Sequence, residues 1–415
     1  MKNTLLTGIL LTLLGSTTLA SAAITVASDG SDGVLEPTVD ITIDLSLAAT
    51  GAWNDPGNGN GVYDPDQWAV FFKYSSINIA INRDVFFINH PSGAPVIWLS
   101  QGDVVITGIV HLEGQNGTPS GTTETFATPG PGGFRGGKAA GATGPESAGH
   151  GPGGGSANPA GPSGAGSYAT VGTGSFSGTT YGNTGVFPLI GGSGGAGTAG
   201  TRGGGGGGGA ILIATPGTVT LNGSILARGG TGGNSFDAND GGSGSGGAIR
   251  IISGSFGGNG LMSARGGVGT GDVESGGDGR ISIESESYSF VGTSEPLNAS
   301  SAAVDPLRIT RDTTTPSVRV ASVDGAQVSN DPRGSFTLVG TDVDLGSAGT
   351  KTVLIEGENI PSTSTVTLRI VRAGDTTDQI VSASFVSEVA TTSTWTVDID
   401  VSGGFSALQA SAQLP

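Results

Sequence analysis

No cysteine occurs among the 415 residues, which excludes disulfides, thiolate metal ligands, a cysteine nucleophile and a lipid-modified N-terminal cysteine. Charge is scarce as well. Asp, Glu, Lys and Arg make up 12% of the chain and leave a formal net charge of −17. Nucleic acid or an anionic membrane surface as the main partner would need clustered Lys and Arg, and the 17 basic residues are scattered. Histidine occurs only as His90, His111 and His150, on separate segments, so a Ser-His-Asp triad or a two-His metal site has nothing to build on. Long apolar runs are missing too. The run Leu5 to Leu14 falls short of the roughly 20 residues a spanning helix requires, and no membrane span is expected. With Lys2 before it and Ala20-Ser-Ala22 after it, the run reads as a signal peptide over residues 1–22, so the mature chain starts at Ala23.

What the chain has in quantity is glycine, 79 residues, concentrated between Gly114 and Gly279. Together with 20 prolines this approaches a composition that stays disordered, but short apolar runs decide otherwise. The stretch Gly209 to Gly230 overlays Ala94 to Gly114 without a gap, pairing Val96 with Ile211, Trp98 with Ile213, Val104 with Val219 and Ile106 with Leu221. A third copy, Ala248 to Ile252 followed by Asn259 to Gly267, lacks one residue, and Gly279 to Ile283 begins a fourth. Each copy holds three short alternating runs between glycine corners. A unit of about two dozen residues is the size of one rung of a parallel β-solenoid.

The expected fold is therefore all-β: a right-handed parallel β-helix over residues 69–306, preceded by an N-terminal cap at 23–68 that covers its open strand edge. The cap holds one half-buried strand, Val39 to Leu47, by its period of two. A glycine-rich insertion at 117–208 separates the first two copies and has isolated aromatics at Phe126, Phe134, Tyr168, Phe176, Tyr181 and Phe187. It is either a flexible excursion or a set of packed polyglycine-II-like segments, and the spaced aromatics favour docking. Because the copies align on both sides of it, it should leave one corner and return, and its deletion should leave the rungs folded. A Thr- and Pro-rich linker at 307–316 leads to residues 317–415. There, runs at Val318–Val323, Phe336–Val339, Thr352–Glu356, Val366–Val371, Ile380–Val386, Trp395–Val401 and Ala407–Gln413 predict an immunoglobulin-like β-sandwich.

Several segments resemble glycine-rich secreted proteins of Gram-negative bacteria: Gly61-Val-Tyr-Asp-Pro-Asp-Gln-Trp68, Phe72 to Ile79, Asn89 to Trp98, Gly130 to Gly136 and Gly404 to Gln409. The resemblance covers most of the mature chain and implies export and this fold, with no activity to carry over. Thr352 to Ile360 is similar to strand–turn patterns of immunoglobulin-like modules in cell-surface proteins. Localisation is accordingly expected to be extracellular or at the outer cell surface.

Candidate sites are few. Asp55, Asn58, Asn60, Asp64 and Asp66 bring oxygen donors and tight turns together, which is calcium chemistry. Pro56 and Gln67 depart from EF-hand spacing, and a plain Asx-rich turn is the other reading. The run Gly203 to Gly209 precedes a strand rather than a helix and lacks the Lys-Ser/Thr of a phosphate-binding loop. Arg228 and Arg265 fall at equivalent positions, with Asp237, Asp240, Asp272, Glu274 and Asp278 in the corners that follow and Glu113 where the first copy would carry an Arg. A polysaccharide lyase could use such an Arg as base; a stacked surface ladder explains the same pattern. His90 reads as a turn residue and His111 as an exposed strand residue. Outward rung positions are mostly Thr, Ser, Leu, Ile and Val, a face suited to broad low-charge contact. The expected function is structural or adhesive, without catalysis: binding polysaccharide or other surface proteins, or self-association.

Overall fold

The computed structural model describes residues 24–53, 57–118, 126–139, 148–158, 161–198, 202–233, 240–269, 273–301, 316–328, 342–372, 379–401 and 406–415. The expected signal peptide at 1–22, the expected strand Phe336–Val339 and all but the last residue of the expected linker at 307–316 lie outside them. The described chain is all-β; before Pro316 the strands pair in parallel apart from Val62–Asp64 against Ala69–Tyr74, and after it the sheets are antiparallel.

Two parallel sheets are built from the repeats. In the first, Val96–Ser100, Ala210–Leu221, Ala248–Gly258 and Arg280–Phe290 lie side by side in register, Val96 on Ile211 on Ile249 on Ile281, and Trp98 on Ile213 on Ile251 on Ile283. Each of these files is apolar and points inward, and all eight side chains are buried. The sequence pairing of Val104 with Val219 and Ile106 with Leu221 is also the ladder pairing. The residue missing from the third copy is taken up by a register shift between Thr215 and Thr218, where one extra residue bulges out. The second sheet runs Thr293–Glu295, Leu261–Ser263, Ser224–Leu226, Ile109–His111, Asp84–Ile88, Ile41–Asp44, with every pair parallel.

The N-terminal segment departs from expectation in two ways. Val39 to Leu47 is a strand only at Ile41–Asp44 and then turns into a 3-10 helix at Leu45–Ala49, because Asp44 Oδ1 accepts from Ser46 N at 3.0 Å and from Ser46 Oγ at 2.6 Å. In addition, Val34–Leu35 and Ile41–Asp44 pair in parallel with Ser76–Ile79 and Asp84–Ile88, so rungs begin before Trp68.

The glycine-rich segments are packed. Gly203, Gly206 and Gly209 N–H donate to Thr118, Gln115 and Leu112; Gly204, Gly207 and Ala210 donate to Gly137, Phe134 and Pro131; Gly205 and Gly208 donate to Gly242 and Ser245, all between 2.6 and 3.2 Å. The donor direction thus turns a third of a circle per residue, which is the threefold geometry of polyglycine II. Carbonyls answer in other directions: Gly205, Gly206, Gly207 and Gly208 accept from Gly195, Gly230, Gly130 and Gly192. Only glycine allows neighbours this close, since a Cβ on Gly204 or Gly207 would overlap the carbonyl oxygen of Gly195 or Gly192. The bundle is not confined to 117–208. Residues 227–233, 241–247, 264–269 and 273–279, which connect later rungs, join the same network. Three successive connections from the second sheet back to the first thus pack against one another.

The bundle also covers the first sheet over the leading halves of its strands. Ile97, Leu99, Leu212, Ala214 and Ile252 point outward, yet they are buried with Leu189 of the insertion and Val26 packed against them. Tyr168 and Tyr181 stack at 4.4 Å beside Val186, Ala210 and Ala248. The outward Leu and Ile positions expected to lie against a partner are occupied by the chain itself. After Pro316, sheets of five and three antiparallel strands share a core of Val353, Ile355, Leu368, Ile370 and Trp395. The expected strand Ile380–Val386 is broken at Ala383: Gln379–Ser382 joins the smaller sheet and Ser384–Val389 the larger.

Candidate functional site

The outer face of the second sheet carries the ionisable side chains. Parallel register places His111, Leu226, Ser263 and Glu295 in one file across successive strands. Arg228 follows its strand by two residues and lies on the same side. Its Nε donates to Ser263 Oγ at 2.8 Å, and its Nη2 stands 3.9 Å from Glu295. Arg265 Nη1 reaches the other oxygen of Glu295 at 3.7 Å, and Ser263 Oγ donates to Glu295 at 3.2 Å. Two guanidiniums thus share one carboxylate. The side chains of Arg228 and Arg265 are 41% and 57% exposed, so water screens these pairs strongly.

Toward the N-terminal end of the same face, His111 is held between two acids. Its Nδ1 is 3.1 Å from Glu113 and its Nε2 is 3.5 Å from Asp84, while Phe86 stacks on the ring at 4.4 Å. The hydrogen bond to Glu113 raises the His111 pKa above its ordinary value; burial opposes this, and the charges of Glu113 and Asp84 add to it. His111 is therefore half-buried and paired, where an exposed strand residue was expected. Glu113 sits two residues along its own strand direction, on the same side, and Asp84 comes from the preceding rung.

Other expected residues are dispersed. Asp237 and Asp272 lie outside the described residues. Asp240 is buried 3.8 Å from Arg202, Glu274 accepts from Thr173 Oγ1 at 2.7 Å, and Asp278 accepts from Gly266 N at 3.2 Å. These acids serve the glycine bundle rather than Arg228 and Arg265. Glu295, which does serve them, was not singled out from sequence, although counting one worn repeat onward from Ser263 reaches it. His90 is buried, stacked on Tyr63 at 4.1 Å, with Nδ1 2.8 Å from Ser92 Oγ. His150 is buried, and its pKa is pushed well down by burial and then by Arg135 and Arg369.

Of the five oxygen donors proposed for calcium, Asp55 lies outside the described residues. Asp64 Oδ1 accepts from Asp66 N at 2.9 Å and Gln67 N at 3.2 Å, which is an Asx turn. Asn58 is buried, its carbonyl taken by Tyr74 Oη at 2.6 Å, and Asn60 N donates to Asp32 at 2.7 Å. Turn chemistry accounts for Asp64. Among the described residues, no group of three or more His, Cys, Asp or Glu is placed to hold a metal ion.

Three of the segments on which the resemblance rests, residues 61–68, 89–98 and 130–136, meet near Trp68. Its Nε1 donates to Ser92 O at 3.1 Å, its ring stacks on Phe134 at 6.5 Å, and Asn89 Nδ2 donates to Pro129 O at 2.8 Å. The motifs fasten the glycine bundle to the first rungs. Comparison with protein-family models, curated proteins and solved structures gave no match.

Proposed function

We propose that this is an exported structural or adhesive protein, a right-handed parallel β-helix with an immunoglobulin-like sandwich at its C-terminal end, which binds envelope or matrix polysaccharide or associates with itself without catalysis. One observation carries the reading: on the open outer face of the second sheet the ionisable groups engage one another across rungs, Arg228 and Arg265 with Glu295, and His111 with Asp84 and Glu113. Catalysis of cleavage needs an acid or base aimed at a substrate from a cleft. Arg228 instead spends its Nε–H on Ser263. The glycine bundle covers the outer face of the first sheet only over the leading halves of its strands, so the faces left for contact are the second sheet and the trailing half of the first, where residues 286–289 are exposed. The signal peptide read at 1–22 supports export.

The test is incubation of the mature protein with a panel of acidic and neutral polysaccharides, scoring retention on the polymer, self-association and new reducing or unsaturated ends. Retention or self-association without cleavage is expected. Cleavage that Arg228→Ala abolishes would establish the alternative, a polysaccharide lyase.

A further inference from the structure

The smaller antiparallel sheet has one side chain that breaks its pattern. Along Thr365–Arg372, Val366, Leu368 and Ile370 enter the shared core, so Arg369 points away from it. An outward arginine is ordinarily solvated. Arg369 is nevertheless only 7% exposed. Its guanidinium enters a turn of the glycine-rich region, where Nη1 donates to Gly151 O, and Nη2 donates to Gly149 O at 2.9 Å and to Gly154 O at 3.4 Å. The turn is shaped for this approach. Gly151 has φ +97°, and a Cβ on Gly154 would lie 2.7 Å from Nη2. The three carbonyls are divided between two nitrogens of one planar fork, an arrangement that the single nitrogen of a lysine does not reproduce.

We propose that residues 149–154 form a guanidinium receptor whose ligand is Arg369, and that this plug is the joint fastening the C-terminal antiparallel sheets to the glycine bundle. A bundle of extended segments presents backbone carbonyls at its margin just as a sheet does at its edge, and these need donors. Arg369 supplies them from another part of the chain. The joint lies far in sequence from the connection at residues 302–315, so covalent linkage alone would not keep the two parts together as one body.

The test uses the full mature chain. Wild type, Arg369→Ala, Arg369→Lys and, as control, Arg319→Ala are compared by small-angle scattering and by hydrogen–deuterium exchange of a peptide covering residues 149–154. The expected result is a larger radius of gyration and at least tenfold faster exchange of that peptide for both Arg369 variants, with wild-type values for Arg319→Ala. Gly154→Ala, which alters the receptor and leaves the C-terminal sheets untouched, should reproduce the larger radius even if Arg369→Ala weakens its own sheet. A wild-type radius in Arg369→Ala or in Gly154→Ala, or wild-type exchange in Arg369→Ala, with far-ultraviolet circular dichroism unchanged, would overturn the proposal.

Discussion

Ile213 sits between Trp98 and Ile251 in an inward file with no exposure. Ile213→Asp would bury a carboxylate there with no counter-charge, costing about 4 kcal/mol or more. A large loss of melting temperature is expected, and an unchanged value would show that the file is not stacked as described. Glycine can be probed in the same way. Gly207→Ala drives a methyl into the Gly192 carbonyl, whereas a Cβ on Gly185 meets nothing nearer than 3.4 Å. The first should cost about 1–3 kcal/mol, as overpacking does, and the second should leave the melting temperature nearly unchanged.

His111 gives a pH dependence. Its pKa is raised in the folded protein, chiefly by Glu113, so its contribution to stability is fully present below the ordinary histidine pKa of about 6.5 and is lost as pH rises through the folded value. His111→Gln should therefore narrow the difference in melting temperature between pH 5.5 and pH 8.5. The pairs are partly exposed, which keeps the effect below about 1 kcal/mol. A difference unaltered by the substitution would show that the pairing does not form.

At the scale of elements, the rung strands were legible because repetition supplied register directly: two aligned copies name the cross-strand partners, and a one-residue deletion names a bulge. Ile41–Asp44 was legible only as far as Asp44, since alternation continues through Leu47 while the Asp44 side chain ends the strand by hydrogen bonding Ser46. The polyglycine geometry was legible as one of two options. Composition says that glycine permits close approach, but not which segment lies beside which, because glycine has no side-chain pattern to align. For that reason the connections at 227–247 and 264–279 look in the sequence like plain glycine corners. Of the polar face, Arg228, Arg265, His111 and Glu113 were legible, whereas Asp84 and Glu295 needed the spatial neighbours of a fourth, worn repeat and an earlier rung. The buried deletion target changes its meaning as well. Because Gly230 and Gly242 donate to Gly206 and Ala196, removing residues 117–208 takes partners from the later connections. A bridged deletion should melt well below the intact chain, which scanning calorimetry would measure; equal stability would mean that the rungs do not depend on the insertion.

At the scale of the whole molecule, a chain with little charge and no disulfide holds together through backbone hydrogen bonds in parallel ladders, in a threefold glycine bundle grown from their connections and, after Pro316, in antiparallel sheets around a core of their own. The glycine content is then core material, and it carries the central claim. Hydrogen–deuterium exchange followed by mass spectrometry tests it most directly, on the amides of residues 203–209 and 241–247. These amides should exchange as slowly as those of the strand Ala210–Leu221, because each is buried and bonded to a neighbouring segment. Complete exchange of these amides at the earliest time point, with the strand still protected, would contradict the account.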